Sequence, residues 1–549
     1  MLEKLLRPVS SFAAAVVVCG MLAGTAHAET PLREVIDAEV AKVWKEKGIN
    51  PSAPAPDAEF LRRVYLDLLG TTPSYQETAA FLDDAAPDKR AKLIDKLLDD
   101  PRFAEHQTRE WDMVLFGRNP PGYDSGSREG FIRFLREQFA KNAPYDQIVK
   151  TILLAEGDTS NQGAPMFLMQ YQRNPEDAAV AVTKIFMGVQ LECARCHDHP
   201  FEDYTQVDFY GMAAFFARLQ RVEAGTNGKE KMLALGEKST GDVLFTGPAI
   251  DATPGKKGEP IAPKFLKGEP LAEPELPQDF KEPPNIPGGK MPEKPQFSRK
   301  DAFAEWVARP DNPWFAREAA NRIFGQFLGK GVVHPVDNLS DVNPPSHPAL
   351  LDALEKEFVA HRFDIKWYVR ELLNSKTYQL SSAGSATEAF PLYYERAKYR
   401  PLSAEELAAS WRVATGYDEA LAKSGKKPEN ADDFAPLTRG YMLSFFGKPG
   451  DGEGNFQGGM HEHLYLNNGE LARLFANSGD GTLLHYLSKS EDPIEKKVER
   501  LFLQMLSRPP SEEEAKFFVA YLSETEPSGQ RQQNAIWTLM TCSEFRFNH

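Results

Sequence analysis

The sequence predicts a mainly α-helical protein, with two helical domains joined by a connector that is rich in proline and glycine and contains minor β structure. Apolar residues recur at helical spacing in both halves of the chain, and residues typical of helix N-termini precede several of these stretches. Between the two halves, from 221 to 297, proline, glycine and lysine dominate. A chain of 549 residues is also too long for one compact core.

The first half shows the helical pattern most clearly. The apolar residues of its best-defined helix are Phe60, Leu61, Val64, Leu68 and Leu69. Gly70 follows them and is predicted to end this helix as a C-terminal cap. Ser74-x-x-Glu77 then has the form of a capping box, and Pro175 after Asn174 indicates another helix start.

The second half repeats these helix-start signals. Capping-box spacing occurs at three places, which are Ser298-x-x-Asp301, Ser403-x-x-Glu406 and Ser511-x-x-Glu514. Pro348 directly after His347 is typical of a first helical turn. The connector is expected to be largely irregular, with one short strand at Asp242–Thr246.

The N-terminus indicates export. Lys4 and Arg7 precede an apolar stretch at Phe12–Leu22, and Ala26 and Ala28 complete an A-x-A cleavage pattern. The stretch is shorter than the roughly 20 residues that span a bilayer, so an uncleaved anchor is the less favoured alternative. We therefore expect a signal peptide at 1–28, cleaved after Ala28, and a periplasmic or extracellular protein without a membrane span. The remaining predicted segments are a helical domain at 32–220, the connector at 221–297 and a second helical domain at 298–549.

The net charge of −15 bears on possible partners. Nucleic-acid binding depends on clustered lysine and arginine, so this charge argues against a nucleic-acid partner. It promotes solubility and favours, weakly, a basic partner protein.

One short run has a defined chemistry. Cys193-Ala194-Arg195-Cys196-His197 has the spacing by which c-type haem is attached. The two thiols bind the two vinyl groups, and the turn between them brings the imidazole beneath the iron. Cys193 and Cys196 are thus predicted to anchor a haem c, with His197 as the proximal iron ligand. Attachment of c-type haem takes place outside the cytoplasm, which agrees with the predicted export.

Three alternatives remain for this run. Cys193, Cys196, His197 and His199 have the side chains of a zinc site, although structural zinc sites usually join two separated ligand pairs. The two cysteines are also spaced as a redox disulfide, and the run is also compatible with a purely structural turn. With haem bound, His199 is expected beside the proximal ligand as a hydrogen-bond donor or propionate contact.

Other groups are weaker candidates. The distal haem ligand is not identifiable, and its candidates are Met166, Met169, Met187, Met212 and His106. Two loop clusters combine histidines with acidic residues, and for both of them ordinary turn or solvent-exposed roles are favoured over metal binding or acid–base catalysis. Their members are His334, Asp337, Asp341 and His347 in the first, and Asp451, Glu453, His461, Glu462 and His463 in the second.

Several runs resemble a family. In the first half they are 61–73 (LRRVYLDLLGTTP) and 191–201 (LECARCHDHPF), and they resemble the planctomycete cytochrome-type domain of unknown function. The second half resembles the planctomycete secreted domain that accompanies it, through 321–324 (NRIF), 343–348 (NPPSHP), 373–381 (LNSKTYQLS), 506–510 (LSRPP) and 543–549 (SEFRFNH). The resemblance covers nearly the whole mature chain and implies an exported protein linked to cytochrome-like modules, with no settled activity.

Two functional hypotheses follow. The first is an exported mono-haem protein that transfers single electrons to or from a partner protein, or that serves a redox enzyme. The second is a secreted protein without redox function, either an interaction scaffold or a zinc-assisted enzyme acting on extracellular polymers. Whether the protein is an enzyme, and its oligomeric state, are not determined by the sequence.

Overall fold

The computed structural model describes most of the chain. The described residues are 30–117, 125–159, 162–227, 230–245, 258–283, 294–384, 391–425, 462, 465–466, 471–524 and 528–549. The predicted signal peptide lies outside them. Among the described residues, no helix combines the length and the apolar character that crossing a bilayer requires.

The protein is mainly α-helical with minor β structure, as predicted. The helices up to residue 214 are Leu32–Lys47, Asp57–Leu69, Tyr75–Asp83, Lys89–Leu98, Pro101–Phe116, Ser125–Ala140, Tyr145–Leu154, Met166–Met169, Pro175–Met187 and Gln206–Ala214. Those from residue 299 onward are Arg299–Val307, Phe315–Leu328, Pro348–Ala360, Ile365–Leu373, Ala404–Thr415, Tyr417–Lys423, Ala472–Phe475, Leu483–Lys489, Ile494–Leu506, Glu512–Ser523, Ser528–Thr541 and Ser543–Arg546.

The predicted helix boundaries rest on local chemistry that the structure confirms. Gly70 caps the helix Asp57–Leu69 in the left-handed conformation, with φ of 65°. A side chain at this position would also collide with the core, because a Cβ atom would lie 2.5 Å from Nδ1 of His106. Reciprocal capping boxes form at Ser74, Ser403 and Ser511, where each serine hydroxyl accepts the backbone N–H three residues later.

Among the described residues, the β structure is confined to small sheets. Leu219–Asn227 and Glu230–Glu237 form an antiparallel hairpin, and Gly157–Asp158 adds a third short strand to it. Two further two-stranded pairs join Val243–Leu244 to Pro260–Ile261, and Arg400–Pro401 to Phe547–Asn548. A strand of two residues, Val243–Leu244, lies within the segment Asp242–Thr246 where a short strand is expected, and Thr246 is outside the described residues. The hairpin that precedes it was not predicted.

A first hydrophobic cluster extends across the predicted domain boundaries. It combines helices of the first half with the helices Arg299–Val307, Phe315–Leu328, Pro348–Ala360 and Ile365–Leu373. Leu235, Val243 and Phe245 from the predicted connector are buried in the same cluster. Burial of these side chains ties the connector to the main core.

A second hydrophobic cluster is built from residues 402–545. One residue of the first half, Leu66, is fully buried within it. Its neighbours Val64, Tyr65 and Leu68 belong instead to the first cluster. The helix Asp57–Leu69 therefore contributes to both cores.

Polar side chains of this helix also join the two halves. Arg63 is 3% exposed and donates hydrogen bonds to the carbonyl oxygens of Tyr378 and Leu380, each at 2.8 Å, while its Nη2 lies 2.6 Å from Glu59 Oε1. Arg62, one residue earlier, donates to the carbonyl oxygen of Phe545 at 2.6 Å. Each arginine thus satisfies backbone acceptors of a segment more than 300 residues away in the chain.

We expect Arg63→Met to destabilise the protein strongly. Methionine preserves much of the apolar volume but leaves two carbonyl groups without the donor Arg63. It also removes the positive charge beside Glu59, which keeps its hydrogen bonds from Ser381 and Ser382. Breaking one side of such a buried pair costs about 3–5 kcal/mol of the free energy of unfolding. Urea denaturation followed by circular dichroism measures this loss. Arg309→Met is the matched control, because Arg309 is exposed and pairs with exposed Asp311, and equal losses in both variants would contradict the assigned role of Arg63.

Acidification should destabilise the protein through His106. Burial lowers the pKa of His106 to about 4 from its ordinary value of 6.5. His106 therefore binds a proton more readily in the unfolded chain than in the folded protein. Its contribution to the free energy of unfolding is fully present above pH 6.5 and is lost as the pH drops toward 4. The limiting loss is about 3 kcal/mol for this one side chain. Urea denaturation at pH 7 and pH 4.5 should show a smaller acid loss for His106→Gln than for the native protein, and an unchanged loss would refute the assignment.

Candidate functional site

The Cys-x-x-Cys-His run lies on a short turn at the end of a helix. The helix Pro175–Met187 ends at Gly188, which adopts the left-handed conformation with φ of 65°. After three further residues, Glu192–Arg195 forms a 3₁₀ turn. Ala194 is fully buried beneath this turn, whereas Cys193 and Cys196 on either side of it are exposed. The buried alanine holds the turn against the core and directs both thiols outward.

Arg195 fixes the turn to the start of the preceding helix. Its guanidinium forms ion pairs with Glu176 and, at 3.3 Å, with Asp177 Oδ1. Its carbonyl oxygen accepts a hydrogen bond of 3.2 Å from the hydroxyl of Tyr210. The helix Pro175–Met187 therefore holds the side chain of Arg195, and the helix Gln206–Ala214 holds its backbone.

The chain after the turn is fixed as well. Asp198 accepts a hydrogen bond of 2.8 Å from the backbone N–H of Gln206, in the first turn of the helix Gln206–Ala214. Thr205 and Asp208 form a capping box at the start of that helix. Asp208 also forms an ion pair with Lys264 at 2.6 Å. Burial raises the pKa of the Asp208 carboxyl group, but the hydrogen bonds from Lys264 and Thr205 outweigh this effect and lower the pKa below its ordinary value.

The side chains of the two cysteines and His197 are in states compatible with the predicted haem attachment. Cys193 and Cys196 are free thiols, and the disulfide alternative is not formed in this structure. Nδ1 of His197 lies 2.7 Å from the carbonyl oxygen of Asp198. A carbonyl oxygen only accepts hydrogen bonds, so Nδ1 carries the proton and Nε2 of the neutral ring retains its lone pair. That nitrogen is the one that a haem iron would bind, and its ring is oriented in the way typical of metal-binding histidines.

His199 has the opposite tautomer. Its Nδ1 accepts hydrogen bonds from the backbone N–H groups of Phe201 and Glu202, at 3.3 and 3.0 Å. Because N–H groups only donate, the proton of the neutral ring lies on Nε2. Burial, ahead of any charge, lowers the pKa of His199 and favours this neutral form. Nδ1 therefore accepts hydrogen bonds and Nε2 carries the proton, so that binding of zinc by either nitrogen would require a rearrangement of this loop.

Within the described part of the chain, one set of three acidic, histidine or cysteine side chains places its ligand atoms close together, and it lies away from the cysteine turn. The set is Glu156, Glu237 and Asp301. Nζ of Lys300 lies 3.2 Å from Glu156 and 3.5 Å from Asp301. A buried ammonium group therefore already supplies the positive charge, and the cluster is a structural ion-pair network. The four residues considered for zinc do not form such a set.

A loop of the second half completes the surroundings of the turn. Glu202 accepts hydrogen bonds from the hydroxyl of Ser340 and, at 3.1 Å, from the backbone N–H of Asp341. Next to them, the backbone N–H of Leu339 donates to the carbonyl oxygen of Gly188 at 2.8 Å. Sequence reasoning missed Glu202 and Ser340, because they are 138 residues apart and no local pattern relates them.

Most of the remaining sequence candidates are buried or paired with other residues. The proposed distal side chains are all buried in the core, with Met166 and Met169 at 7% exposure, Met187 and Met212 at 0% and His106 at 3%. His347 precedes the helix Pro348–Ala360 and is buried, and burial lowers its pKa to about 4. Asp337 pairs with Lys184 at 3.3 Å.

The second loop cluster is mostly beyond the described residues. Asp451, Glu453, His461 and His463 lie outside them. Glu462 is described and forms an ion pair with Arg546. Cys542 is half-buried at the edge of the second hydrophobic cluster, where burial raises the pKa of its thiol.

Fold and site together define a mainly helical protein with an exposed, rigidly held Cys-x-x-Cys-His turn. Residues 35–221 match the family model described as PSCyt2, protein of unknown function (DUF1549), and residues 299–440 match that described as PSD1, protein of unknown function (DUF1553). The chain thus has the two-domain planctomycete pattern of a PSCyt2 domain followed by a PSD1 domain. No curated protein and no solved structure matches it.

Glu202→Gln should loosen the contact between the turn and the loop of the second half. The amide is a weaker acceptor for the hydroxyl of Ser340 and the N–H of Asp341, and hydrogen bonds to charged groups contribute about 1.5–3 kcal/mol. Hydrogen–deuterium exchange should become faster in segments 198–205 and 338–343. Asp203→Asn, on the same loop at an exposed position, is the control. Equal exchange rates in both variants would show that Glu202 does not fasten the loop.

Proposed function

We propose that the protein is an exported mono-haem protein that transfers single electrons, with one haem attached at the surface through Cys193 and Cys196. The observation that supports this most directly is the state of the turn: two exposed free thiols beside an imidazole whose Nε2 lone pair is available. The donor set fits a c-type haem in number, order and chemistry.

The attachment chemistry needs nothing beyond the two thiols and the two vinyl groups. Each cysteine sulfur would form a bond to the inner carbon of one vinyl group, and the thiol proton would pass to the terminal carbon of that group. Electrons balance within each addition, so no oxidant or reductant is consumed. Both cysteines must be reduced at that moment, which is their state in this structure.

His197 would bind the iron through Nε2. Its Nδ1–H donates to the carbonyl oxygen of Asp198, which fixes the orientation of the ring and increases the basicity of Nε2. The bound group would supply reversible one-electron chemistry. Because Ala194, Arg195 and Asp198 hold the turn, the imidazole would keep its position when the bound group changed its oxidation state.

The position of the turn suits exchange with a partner protein. Phe201 is 69% exposed next to the turn, and Val342 is 62% exposed beside Asp341, whose backbone N–H is bound by Glu202. The contact of Glu202 with Asp341 brings the segments of these two side chains together, and neighbouring exposed apolar side chains are a feature of interaction surfaces. We propose that a redox partner protein contacts this face.

Export is part of the same proposal. Covalent haem attachment takes place outside the cytoplasm, and the basic, apolar and A-x-A segments within 1–28 provide an export signal. The two matched domains leave the physiological reaction open, since both are described as being of unknown function.

Production in a host with haem-attachment machinery tests the proposal. We expect the purified protein to carry the mass of one haem that survives denaturation, and to give the pyridine haemochrome spectrum of two thioether links. Cys193→Ser or Cys196→Ser should each change that spectrum to the single-thioether form or abolish attachment. Cys542→Ser is the control and should leave haem content unchanged.

Each contrary outcome has a separate meaning. Full-length, folded protein without covalent haem would refute the proposal. Stoichiometric zinc in metal analysis, lost on substitution of Cys193 and His197, would establish the metal alternative. Protein with neither group would leave the secreted scaffold as the better description.

A further inference from the structure

The cysteine turn and a loop of the second half form one exposed surface. Phe201 and Val342 are exposed apolar side chains on it, at 69% and 62% exposure. Glu202 joins the two segments, because its carboxylate accepts hydrogen bonds from the hydroxyl of Ser340 and the backbone N–H of Asp341. We refer to residues 192–203 and 340–343 together as the loop face.

The two apolar residues of the loop face are held in place. The backbone N–H of Phe201 donates to Nδ1 of His199 at 3.3 Å, and the two rings lie edge to face with their centroids 6.3 Å apart. The backbone N–H of Val342 donates to Ser340 Oγ at 3.2 Å, and the same hydroxyl donates to Glu202. Side chains that are already ordered lose less conformational entropy when a partner binds. The loop face is therefore suited to contact with another molecule.

Acidic side chains surround these apolar residues. The exposed carboxylates are those of Glu192 before the first cysteine of the turn, Asp203 close behind the exposed phenylalanine, and Asp341 directly before the exposed valine. In the part of the chain that the structure describes, none of these three carboxylates forms an ion pair, and neither does that of Glu202. Exposed carboxylates alone are ordinary surface features, and here the apolar pair between them separately indicates a binding surface.

The cations beside the loop face do not cancel this negative charge. Arg195 is already paired with Glu176 and Asp177 of the preceding helix. Lys267 lies over the ring of Tyr204, with its Nζ 5.2 Å from the ring centroid, and adds one positive charge at the edge of the face. The four carboxylates without ion pairs outnumber this charge, so the loop face is acidic.

The electrostatic effect of these carboxylates reaches Tyr204. Burial first, and then the carboxylates of Glu202 and Asp341, raise the pKa of its hydroxyl to about 12. The two carboxylates belong to different halves of the chain, so their charges converge on one place. A surface of this kind attracts partners of positive charge and disfavours acidic ones.

We propose that the loop face binds a basic protein whose lysine or arginine side chains surround a small apolar centre. This inference rests on the proposed function, because it assigns the chemistry of the redox partner. The apolar centre would cover Phe201 and Val342. The surrounding cations would pair with Glu192, Asp203 and Asp341. The exposed thiols lie on the same face, so such a partner would contact the surface to which the haem is attached.

A basic redox protein serves as the probe. Mitochondrial cytochrome c is rich in surface lysine, and acetylation of its lysines removes their charge. Isothermal titration measures the binding of both forms to the full mature chain at ionic strengths of about 0.01 and 0.1 M, where the Debye length is about 30 and 10 Å. We expect the native form to bind about tenfold more tightly than the acetylated form at the lower ionic strength, with most of the difference lost at the higher one. Equal affinities of the two forms would overturn the proposal.

Charge variants test whether binding takes place at the loop face. The first variant neutralises its three exposed carboxylates, through Glu192→Gln, Asp203→Asn and Asp341→Asn. We expect it to bind native cytochrome c about tenfold more weakly at the lower ionic strength. The matched control neutralises three exposed carboxylates that form no ion pair in the described structure and lie outside the loop face, through Asp83→Asn, Glu491→Gln and Glu495→Gln. An equal loss in both variants would show an effect of net charge only and overturn the proposal.

The apolar contribution is tested separately. Phe201→Ser with Val342→Ser should weaken binding about fivefold at both ionic strengths, because salt screens charges and not apolar contacts. Phe517→Ser with Leu392→Ser removes two other exposed apolar side chains, at 63% and 40% exposure, and should leave the affinity unchanged. Unchanged binding of the first pair, or an equal loss in the second, would overturn the proposed contact.

The haem content of the same samples separates this proposal from the proposed function. Haem-free protein that binds native cytochrome c through the loop face would refute the haem proposal alone. Haem-loaded protein that does not distinguish native from acetylated cytochrome c would refute the basic partner alone.

Discussion

The architecture depends on one helix that is buried on every side. Asp57–Leu69 contributes apolar side chains to both hydrophobic clusters and at the same time buries two arginines and an aspartate. Buried charges are tolerable only when each is paired and hydrogen-bonded. Arg63 pairs with Glu59 of its own helix, but Arg62, Arg63 and Asp67 each also have hydrogen-bond partners in the second half of the chain. The first half therefore cannot satisfy this helix alone. The two halves are obliged to fold against each other.

This constraint gives a physical meaning to the runs that resemble the family. The run 61–73 supplies the charged helix, 373–381 supplies the carbonyl groups that Arg63 binds, and 543–549 supplies Asn548 and the carbonyl bound by Arg62. Three runs that are distant in sequence therefore meet at one junction. The predicted domain boundaries assign residues 299–373 to the second domain. In the structure, apolar side chains of these residues pack in the same hydrophobic cluster as the first half.

The candidate haem site follows a contrasting principle. The junction removes charges from water, but the cysteine turn exposes its reactive groups and buries only the alanine between them. Its rigidity comes from contacts on either side, through Arg195 to one helix and Asp198 to another. The loop around Ser340 adds a contact from the second half. A surface group held this firmly can meet a partner without a change in the fold.

The sequence alone determined the local features, because local rules decide them. Helix starts at Ser74, Ser403 and Ser511, the cap at Gly70, the mainly helical class and the chemistry of the Cys-x-x-Cys-His run all depend on residues within a few positions of one another. Tertiary structure decided what depends on distant residues. The link from Glu202 to Ser340 spans 138 residues, and the hydrogen bond from Arg62 to the carbonyl oxygen of Phe545 joins residues that are 483 positions apart. Spacing in a sequence carries no information about such contacts, since they arise only when the apolar faces of the helices are buried together.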